Sequence, residues 1–273
     1  MSKIEICIIL LVVSAFANGL VAQETTYDRV KRARSITFVG DRQNMPYASD
    51  RDSLPGIDVE LARLIAKELK IRLYYRWIDT SHENLLEFIE NGEADLALGV
   101  AQDSRQVGRK HHRFGEKVTF TRPYYSTGYV AVVPKSRPGS VSSFRNPGKV
   151  TIGIEQGALI ERKLQQWNVP AISYSNQLAV LLAIRKGDVD AGALWADAGY
   201  HIHENPGLNV QLAPGFTLDT ELQMNVVGAV RREDGKFVEL INRGLQRVIE
   251  SGAVQQVLHR YHVPFFSPAG KQE

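Results

Sequence analysis

The stretches 92–96, Gly-Glu-Ala-Asp-Leu, and 187–191, Gly-Asp-Val-Asp-Ala, share one pattern: a glycine, an acidic residue and then an aspartate before an apolar run. Each stretch follows a pattern of apolar residues typical of a helix and leads into a strand-like segment, as expected because glycine often ends a helix. A pattern that recurs at the same place in two units predicts two lobes of one design.

The first unit alternates strands and helices. Its strands are short apolar or alternating runs, and its helices carry apolar residues at helical spacing. The predicted strands are 35–40, 71–77 and 94–99, and the predicted helices begin at Gly56 and at Thr80, which forms a capping box with Glu83. This β-α-β-α-β order implies a mostly parallel sheet covered by helices.

The second unit repeats that order. Its predicted strands are 149–154, 171–174 and 190–194, and its predicted helices are 157–167 and one that Ser175 caps. A further strand at 224–230 and two helices follow, the first of them capped by Asp234. These last helices have no sheet of their own, so we expect them to return to the first lobe. Two crossings between lobes form a hinge and a cleft that can close on a ligand.

The amino-terminal residues 1–22 have the order of a secretory signal peptide. Lys3 precedes an apolar run, and small residues follow, so that cleavage after Ala17 or after Ala22 fits the pattern. The alternative is an anchor helix, but the run is shorter than the about 20 residues that span a bilayer. Cys7 lies in this segment. We therefore expect a periplasmic, thiol-free monomer without membrane insertion after signal cleavage.

Charge and histidine spacing exclude two further classes of function. The formal net charge of +3 is too small for a nucleic-acid-binding surface. His201 and His203 with Glu204, and the pair His111–His112, lack a spaced third ligand. We therefore predict neither a metal site nor a cofactor.

Five stretches, in this order, resemble the family 3 extracellular solute-binding proteins of ABC importers. They are 41–47 (Asp-Arg-Gln-Asn-Met-Pro-Tyr), 56–62 (Gly-Ile-Asp-Val-Glu-Leu-Ala), 92–95, 121–125 (Thr-Arg-Pro-Tyr-Tyr) and the helix at 252–261. The resemblance covers about 35–265. It implies an α/β, two-lobed, type II periplasmic-binding protein fold, in which each lobe is a mostly parallel sheet flanked by helices.

The same resemblance implies the limits of the lobes. The first lobe comprises 28–129 and 226–268, and the second comprises 134–220. The hinge crossovers are expected near 129–134 and 220–226.

The resemblance also implies a site for amino acids, from which this sequence departs. In amino-acid-binding members, aromatic residues stack on the ligand, an arginine holds its carboxylate and an acid of lobe 2 holds its ammonium group. Here the stacking positions carry Asn44 and His82, the arginine position carries Val107 and the acid position carries Trp195. An ammonium group without its anion loses a charge-assisted hydrogen bond of about 1.5–3 kcal/mol.

Other positions of the cleft follow from the same alignment of motifs. Hydroxyl and amide anchors fall on Gly99, Val100 and Gln102, while Gly157 is retained ahead of Ala158. The predicted ligand-contacting residues are Asp41, Asn44, Tyr47, His82, Gly99, Gln102, Asp103, Arg105, Tyr125, Gln156, Gly157, Ala158, Trp195 and Asp197.

The predicted ligand is a small polar or anionic solute and not a standard amino acid. Donors for an anion would come from the helix amino termini at Gly157 and near His82. Trp195 is interpreted equally as a core residue or as a cleft residue at the carboxyl end of a strand. His82 is interpreted equally as a ligand donor or as a solvent-facing residue.

Two alternatives to transport remain at this point. The stretches 41–47, 121–125, 195–200 and 261–264 resemble the quinoprotein dehydrogenase-associated binding proteins, whose partner is a periplasmic PQQ-dependent alcohol dehydrogenase and not an ABC permease. That resemblance implies an accessory protein with a vestigial cleft. A cleft enzyme such as a dehydratase would use Asp103, Glu155 or Asp197 as its acid, but we expect no enzymatic activity.

Overall fold

The computed structural model describes residues 24–103, 117–139, 141–232 and 234–270. The predicted signal peptide with Cys7, and the residues Arg105, Val107, His111 and His112, lie outside these ranges. No helix within them is long and apolar enough to cross a membrane.

The first lobe is built on a six-stranded sheet with strand order β4-β1-β5-β13-β6, and β7 also pairs with β13. Its strands are β1 (Ser35–Asp41), β4 (Arg72–Ile78), β5 (Leu96–Asp103), β6 (Val118–Phe120), β7 (Tyr125–Thr127) and β13 (Met224–Arg231). Its helices are α1 (Thr26–Ala33), α2 (Ile57–Leu69), α3 (Leu85–Asn91), α7 (Gly235–Glu250) and α8 (Ala253–Arg260). A small hairpin of β2 (Gln43–Asn44) and β3 (Ala48–Ser49) lies between β1 and α2.

The second lobe is built on a five-stranded sheet with strand order β10-β9-β11-β8-β12. Its strands are β8 (Tyr129–Pro134), β9 (Ile152–Glu155), β10 (Ala171–Tyr174), β11 (Ala191–Trp195) and β12 (Val210–Leu212). Its helices are α4 (Ile160–Gln166), α5 (Gln177–Lys186) and α6 (Ala198–Glu204), and a 3-10 turn spans Pro206–Leu208. The predicted two-lobed α/β fold is therefore present.

Both sheets are mixed, so the prediction of mostly parallel sheets is wrong. The β-α-β units are parallel as expected, but β13 runs antiparallel to β5, β6 and β7, and β8 runs antiparallel to β11 and β12. Parallel neighbours need a long crossover, usually a helix. Apolar runs alone do not reveal a strand's direction, so the sequence could not show which neighbouring strands are antiparallel.

The chain crosses between the lobes close to Gly128. The predicted first crossover, 129–134, is instead β8, a strand of the second sheet, so the crossing lies between β7 and β8. A Cβ atom at Gly128 would lie 2.7 Å from the backbone oxygen of Leu222, which precedes the returning strand β13. The two connecting segments therefore lie side by side, and glycine permits their close approach.

The carboxyl-terminal helices return to the first lobe, as predicted. The buried residues Phe237, Ile241 and Leu245 of α7 share one apolar core with Leu61 and Ile65 of α2. Asp234 caps α7, since its side chain accepts a hydrogen bond of 3.0 Å from the amide of Phe237. This packing places the amino-terminal end of α2 at the edge of the sheet that faces the other lobe.

The repeated aspartates make the same bonds in both lobes. Asp95 accepts a hydrogen bond from the amide of Thr37 at 2.8 Å, and Asp190 accepts one from the amide of Thr151 at 2.9 Å. Each aspartate also pairs with an arginine, Arg29 in the first lobe and Arg137 in the second. The recurring sequence pattern thus ties the loop before each central strand to the neighbouring strand.

Removing the buried member of this pair of aspartates should destabilise the protein more. Asp95 is 7% exposed and Asp190 is 34% exposed. The Asp95→Ala substitution should lower the free energy of unfolding by about 1–3 kcal/mol because it leaves a buried amide without its acceptor. Urea denaturation measures this loss. The matched Asp190→Ala variant should lose less, and equal losses would contradict the role of burial.

A methyl group at the hinge should also destabilise the fold. Gly128→Ala places a carbon against the backbone of the returning segment, so we expect a loss of about 1–3 kcal/mol, as for other overpacked sites. Gly139→Ala is the control because a Cβ atom there meets nothing within 4 Å. Equal stability of both variants in thermal denaturation would show that the two segments are not closely apposed.

Candidate functional site

A cavity of about 220 Å3 lies where the first lobe meets Trp195 of the second. The carboxyl ends of β1 and β5, the amino-terminal end of α2 and strand β7 form its walls. Its lining residues are Phe38, Val39, Gly40, Asp41, Asn44, Tyr47, Ala48, Asp58, Thr80, Leu85, Leu98, Gly99, Val100, Ala101, Tyr125, Thr127, Trp195 and Val226. The strand ends of a parallel unit are the expected place for a ligand.

A second cavity of about 320 Å3 continues on the side of the second lobe. It is lined by Tyr129, Glu155, Gln156, Gly157, Ala158, Gln177, Ala193, Leu194 and Trp195. Trp195 belongs to the walls of both cavities and packs edge-on against Tyr129, with ring centroids 5.2 Å apart. The two cavities therefore form one cleft with Trp195 at its middle.

Asp58 is the buried acid of the first cavity. Gly56 has a φ of +95°, which lets the chain turn sharply into α2 and places Asp58 in the first turn of that helix. Asp58 is only 6% exposed, and its Oδ1 atom has no hydrogen-bond partner within the described part of the chain. This burial raises the pKa of the Asp58 carboxyl to about 7.

Gly99 makes room for that carboxyl group. A Cβ atom at Gly99 would lie 2.3 Å from Oδ2 of Asp58, and Gly99 has a φ of +77°. The amide of Gly99 donates a hydrogen bond of 2.8 Å to the hydroxyl of Tyr124. The predicted position Gly99 thus lies in the cavity wall as the surface against which Asp58 packs.

Tyr47 and Trp195 meet across the cleft. Burial raises the pKa of the Tyr47 hydroxyl well above its ordinary value, and the charge of Asp197 adds to this shift, while a hydrogen bond with the side chain of Trp195 opposes it. Burial and the charges of Asp58 and Asp197 likewise raise the pKa of Tyr125. The aromatic wall of the cleft therefore lies in the negative field of two aspartates, one from each lobe.

Asp197 itself is held just behind the wall. It is 8% exposed, and its Oδ1 atom accepts a hydrogen bond of 3.0 Å from the side-chain amide of Gln177. Burial raises the pKa of Asp197, and the bond from Gln177 acts against that rise. Its neighbour Ala196 is buried in the apolar core of the first lobe, which brings this segment against the opposite lobe.

Three buried side-chain oxygens lack a hydrogen-bond partner among the described residues, and all three belong to residues that line the cleft. They are Oδ1 of Asp58 and Oγ1 of Thr127 in the first cavity, and Oε1 of Gln177 in the second. Buried polar atoms are rarely left without partners in native proteins. Their concentration in one cleft makes this cleft the candidate site for a polar ligand.

The predicted donors for an anion are occupied or displaced. Helix α4 begins at Ile160 and not at Gly157, and the amide of Leu159 ahead of it donates to the Tyr129 hydroxyl at 2.9 Å. Helix α3 begins at Leu85 and not after Thr80, because its first turn is capped by Asn84. Both helices therefore begin later in the chain than the sequence predicted.

His82 also lies outside the described lining of both cavities. It is exposed in a turn in which its amide donates to the backbone oxygen of Asp79 at 3.1 Å. The side chains of Asp79 and Glu83 bond within this turn, and so the capping-box pattern closes a turn and not the helix. Local hydrogen bonding by Asp79 competed with the helix pattern.

The structure brings most of the other predicted residues to the cleft. Those in the described walls are Asp41, Asn44, Tyr47, Gly99, Tyr125, Gln156, Gly157, Ala158 and Trp195. Asp41 is already engaged, since it accepts bonds from Thr80 and from the amide of Gln43. Gln102 is buried and Asp103 ends β5, but neither is in the described walls.

The cleft residues that sequence reasoning missed include Asp58, Thr127, Tyr129 and Gln177. Asp58 had a recognisable signal, because a carboxylate interrupts the start of an otherwise apolar helix pattern directly after Gly56. Thr127 and Gln177 had none, since polar residues at a strand end and in a first helical turn are ordinary.

Within the described ranges, no group of three metal-ligating side chains is assembled. His203 instead stacks on His262, with ring centroids 3.6 Å apart.

Two lobes with a cleft at the hinge define the class of the periplasmic binding proteins. The chain belongs to the bacterial extracellular solute-binding proteins, family 3, whose profile matches residues 36–264. Members of this family are components of transport systems.

Two curated relatives and one solved structure illustrate this likeness. The chain is 23% identical over 225 residues to a probable histidine-binding protein of Neisseria gonorrhoeae, covering 77% of this chain and 76% of that protein. It is 24% identical over 258 residues to the probable amino-acid-binding protein YxeM of Bacillus subtilis (strain 168), covering 92% and 93%. The unliganded open form of the L-cystine solute receptor of Neisseria gonorrhoeae superposes with a TM-score of 0.73 at 14% identity, covering 90% of this chain and 100% of that one. That structural likeness supports the fold.

The buried Asp58 should give the stability a distinctive pH dependence. Its folded-state pKa of about 7 exceeds the ordinary value of 3.8, so the folded state holds this proton over the interval between them. The free energy of unfolding should therefore fall as the pH rises through that interval and then level off, by an amount on the order of 4 kcal/mol.

The Asp58→Asn variant should lack this contribution and should be more stable than the natural protein at pH 8. Urea denaturation at pH 5 and pH 8 measures the difference. Asp188→Asn, at an exposed aspartate, is the matched control. An identical pH slope in the natural protein and in Asp58→Asn would show that Asp58 is not buried as a carboxylic acid.

Proposed function

We propose that this chain is the periplasmic solute-binding component of an ABC importer, that its two lobes close on one small polar ligand, and that it acts as a binding protein and not as an enzyme. The observation that carries this proposal is the group of three partnerless buried oxygens, which all line one interlobe cleft. A ligand that bonds to both lobes stabilises the closed form. A permease that recognises that form couples binding to transport by population shift.

We further propose that the ligand is not an ordinary free amino acid. The relatives named above are described as histidine-, amino-acid- and cystine-binding proteins. In this cleft, no lysine, arginine or histidine is among the described lining residues, so the walls lack a cationic side chain for a carboxylate. Of the two ligand types open from the sequence, polar and anionic, the acidic walls favour the polar one.

The partner is proposed from family membership, and the accessory role beside a PQQ-dependent dehydrogenase makes a different prediction. A vestigial cleft needs no ligand and should fill its interior with apolar side chains. Instead, Asp58 and Thr127 retain buried oxygens at the cavity wall. This arrangement is costly unless another molecule bonds to these atoms.

The proposal is tested by looking for a ligand directly. Protein purified under native conditions is denatured, and the released small molecules are identified by mass spectrometry. Refolded protein is then screened by thermal shift with L-histidine, L-cystine, small carboxylates, amines and alcohols. We expect at least one probe or released solute to raise the melting temperature. A complete absence of ligands, together with co-purification of a dehydrogenase, would support the accessory role instead.

Trp195 should be required for the ligand response. The chain has three tryptophans, and Trp195 lines both cavities, whereas Trp167 packs under the guanidinium group of Arg145 away from them. We expect Trp195→Phe to weaken binding at least fivefold and to lose the ligand-induced change in fluorescence, because the indole contact with Tyr47 is removed. Trp167→Phe should keep both. A full response in Trp195→Phe would exclude this cleft as the binding site.

A further inference from the structure

We infer that the cleft selects a small organic cation, a protonated or methylated amine that needs no carboxylate, and that Asp58 is its counter-charge. This inference rests on the proposed binding function and names the class of its ligand.

The charge of the described walls has one sign. Asp41 and Asp58 line the first cavity, Glu155 lines the second, and Asp197 lies behind the aromatic wall that both cavities share. The cationic residue types lysine, arginine and histidine are not found in the described walls of either cavity. A cleft with low-dielectric walls and acidic side chains raises the local concentration of cations and repels anions.

The acid that matters is Asp58, because it differs from the others in its bonding. Asp41 accepts bonds from Gln43 and Thr80, and Asp197 accepts one from Gln177. Asp58 keeps Oδ1 without a partner among the described residues while it is nine-tenths buried at the wall of the cavity. An isolated buried carboxylate is strongly unfavourable unless a cation or donor compensates it.

The other side-chain atom of this cavity that lacks a hydrogen-bond partner in the described structure is also an oxygen. Thr127, 3% exposed, leaves Oγ1 without a partner in the described structure and lines the same cavity. A ligand that supplies N–H donors satisfies both oxygens. The hydroxyl of Thr127 can also donate, so it is the Asp58 carboxylate that disfavours a carboxylate ligand, because two like charges repel each other.

Three backbone donors at this end of α2 are already used. The amide of Gly56 donates to the hydroxyl of Tyr261 at 2.9 Å, that of Ile57 to the oxygen of Pro46 at 2.9 Å and that of Asp58 to the oxygen of Tyr47 at 2.8 Å. These three amides are therefore not available to an anion, while the acid Asp58 of the same turn lines the cavity.

Aromatic faces complete the preference for a cation. Tyr47, Tyr125 and Trp195 line the first cavity around Asp58. Aromatic rings attract ammonium groups placed over their faces, and the attraction grows when the groups are removed from water. The first cavity, with a volume of about 220 Å3, is the part of the cleft that contains Asp58, so the group that reaches this acid is small.

Three probes of nearly equal size and different charge test the inference: n-butylammonium, 1-butanol and butyrate. Tetramethylammonium serves as a fourth probe that carries charge but no N–H donor. Binding is measured by isothermal titration calorimetry at pH 8 on refolded full-length mature protein. We expect n-butylammonium to bind at least tenfold more tightly than 1-butanol and butyrate to give no signal.

The Asp58→Asn variant separates charge from shape. It should weaken n-butylammonium binding at least tenfold, since a charge-assisted hydrogen bond is lost, and should reduce the preference of the protein for n-butylammonium over 1-butanol. Asp188→Asn, remote from the cleft, should bind as the natural protein does. Because an amide occupies the space of the carboxyl group, circular dichroism and thermal unfolding should confirm that Asp58→Asn is folded.

The outcomes distinguish this inference from the proposed function. Tighter binding of butyrate than of n-butylammonium, or of L-histidine or L-cystine than of any simple amine, would overturn the cation preference while leaving a solute-binding protein. Unchanged n-butylammonium affinity in Asp58→Asn would overturn the role of Asp58. Absence of heat with every probe, together with no solute released from natively purified protein, would overturn both proposals.

Discussion

The cleft depends on one unfavourable feature: a carboxyl group is buried at the start of a helix, and one of its oxygens has no hydrogen-bond partner among the described residues. Asp58 lies against the backbone of Gly99, among tyrosines, and burial raises its pKa to about 7. Elsewhere in the chain, buried aspartates are satisfied: Asp95 bonds to the amide of Thr37, and Asp234 caps a helix. The contrast between these satisfied acids and the unsatisfied oxygen of a cavity-lining acid is the basis of the binding role proposed for Asp58.

The fold explains why this acid can persist. Its helix is anchored by apolar residues in the largest core of the first lobe, and the amides of its first turn bond to Pro46, Tyr47 and Tyr261. These bonds hold the turn in place, so the carboxyl group cannot escape to solvent by local fraying. The packing of the first lobe therefore compensates for the unfavourable burial of the Asp58 carboxyl group, as is common where binding requires strained or desolvated groups.

The cavity that contains Asp58 lies beside the hinge, so ligand binding there can be coupled to movement of the lobes. Tyr125 and Thr127 belong to the last strand before Gly128, where the chain passes into the second lobe, and Trp195 reaches the same cavity from the other side. Bonds formed by a ligand at this point involve residues whose relative positions change when the lobes rotate. Ligand binding can then shift the balance between conformations, because the free energy gained depends on the state of the hinge.

The sequence by itself determined that the chain forms two lobes. Helical and strand periodicity is a local signal of burial. Local signals of where helices begin and end come from Gly56, Asp234 and the repeated glycine-aspartate pattern. Motif order also pointed to Tyr47 and Gly99, which line the first cavity, but it left Trp195 open between the core and the cleft. Only the tertiary structure decided the direction of the hinge strands, the start of the helix at Ile160 and the unsatisfied state of Asp58. These features depend on partners distant in the chain. The amide of Leu159 donates to the hydroxyl of Tyr129, and the missing side chain of Gly99 leaves space for the carboxyl group of Asp58. Periodicity reports which face of an element is buried, but not which atoms meet there.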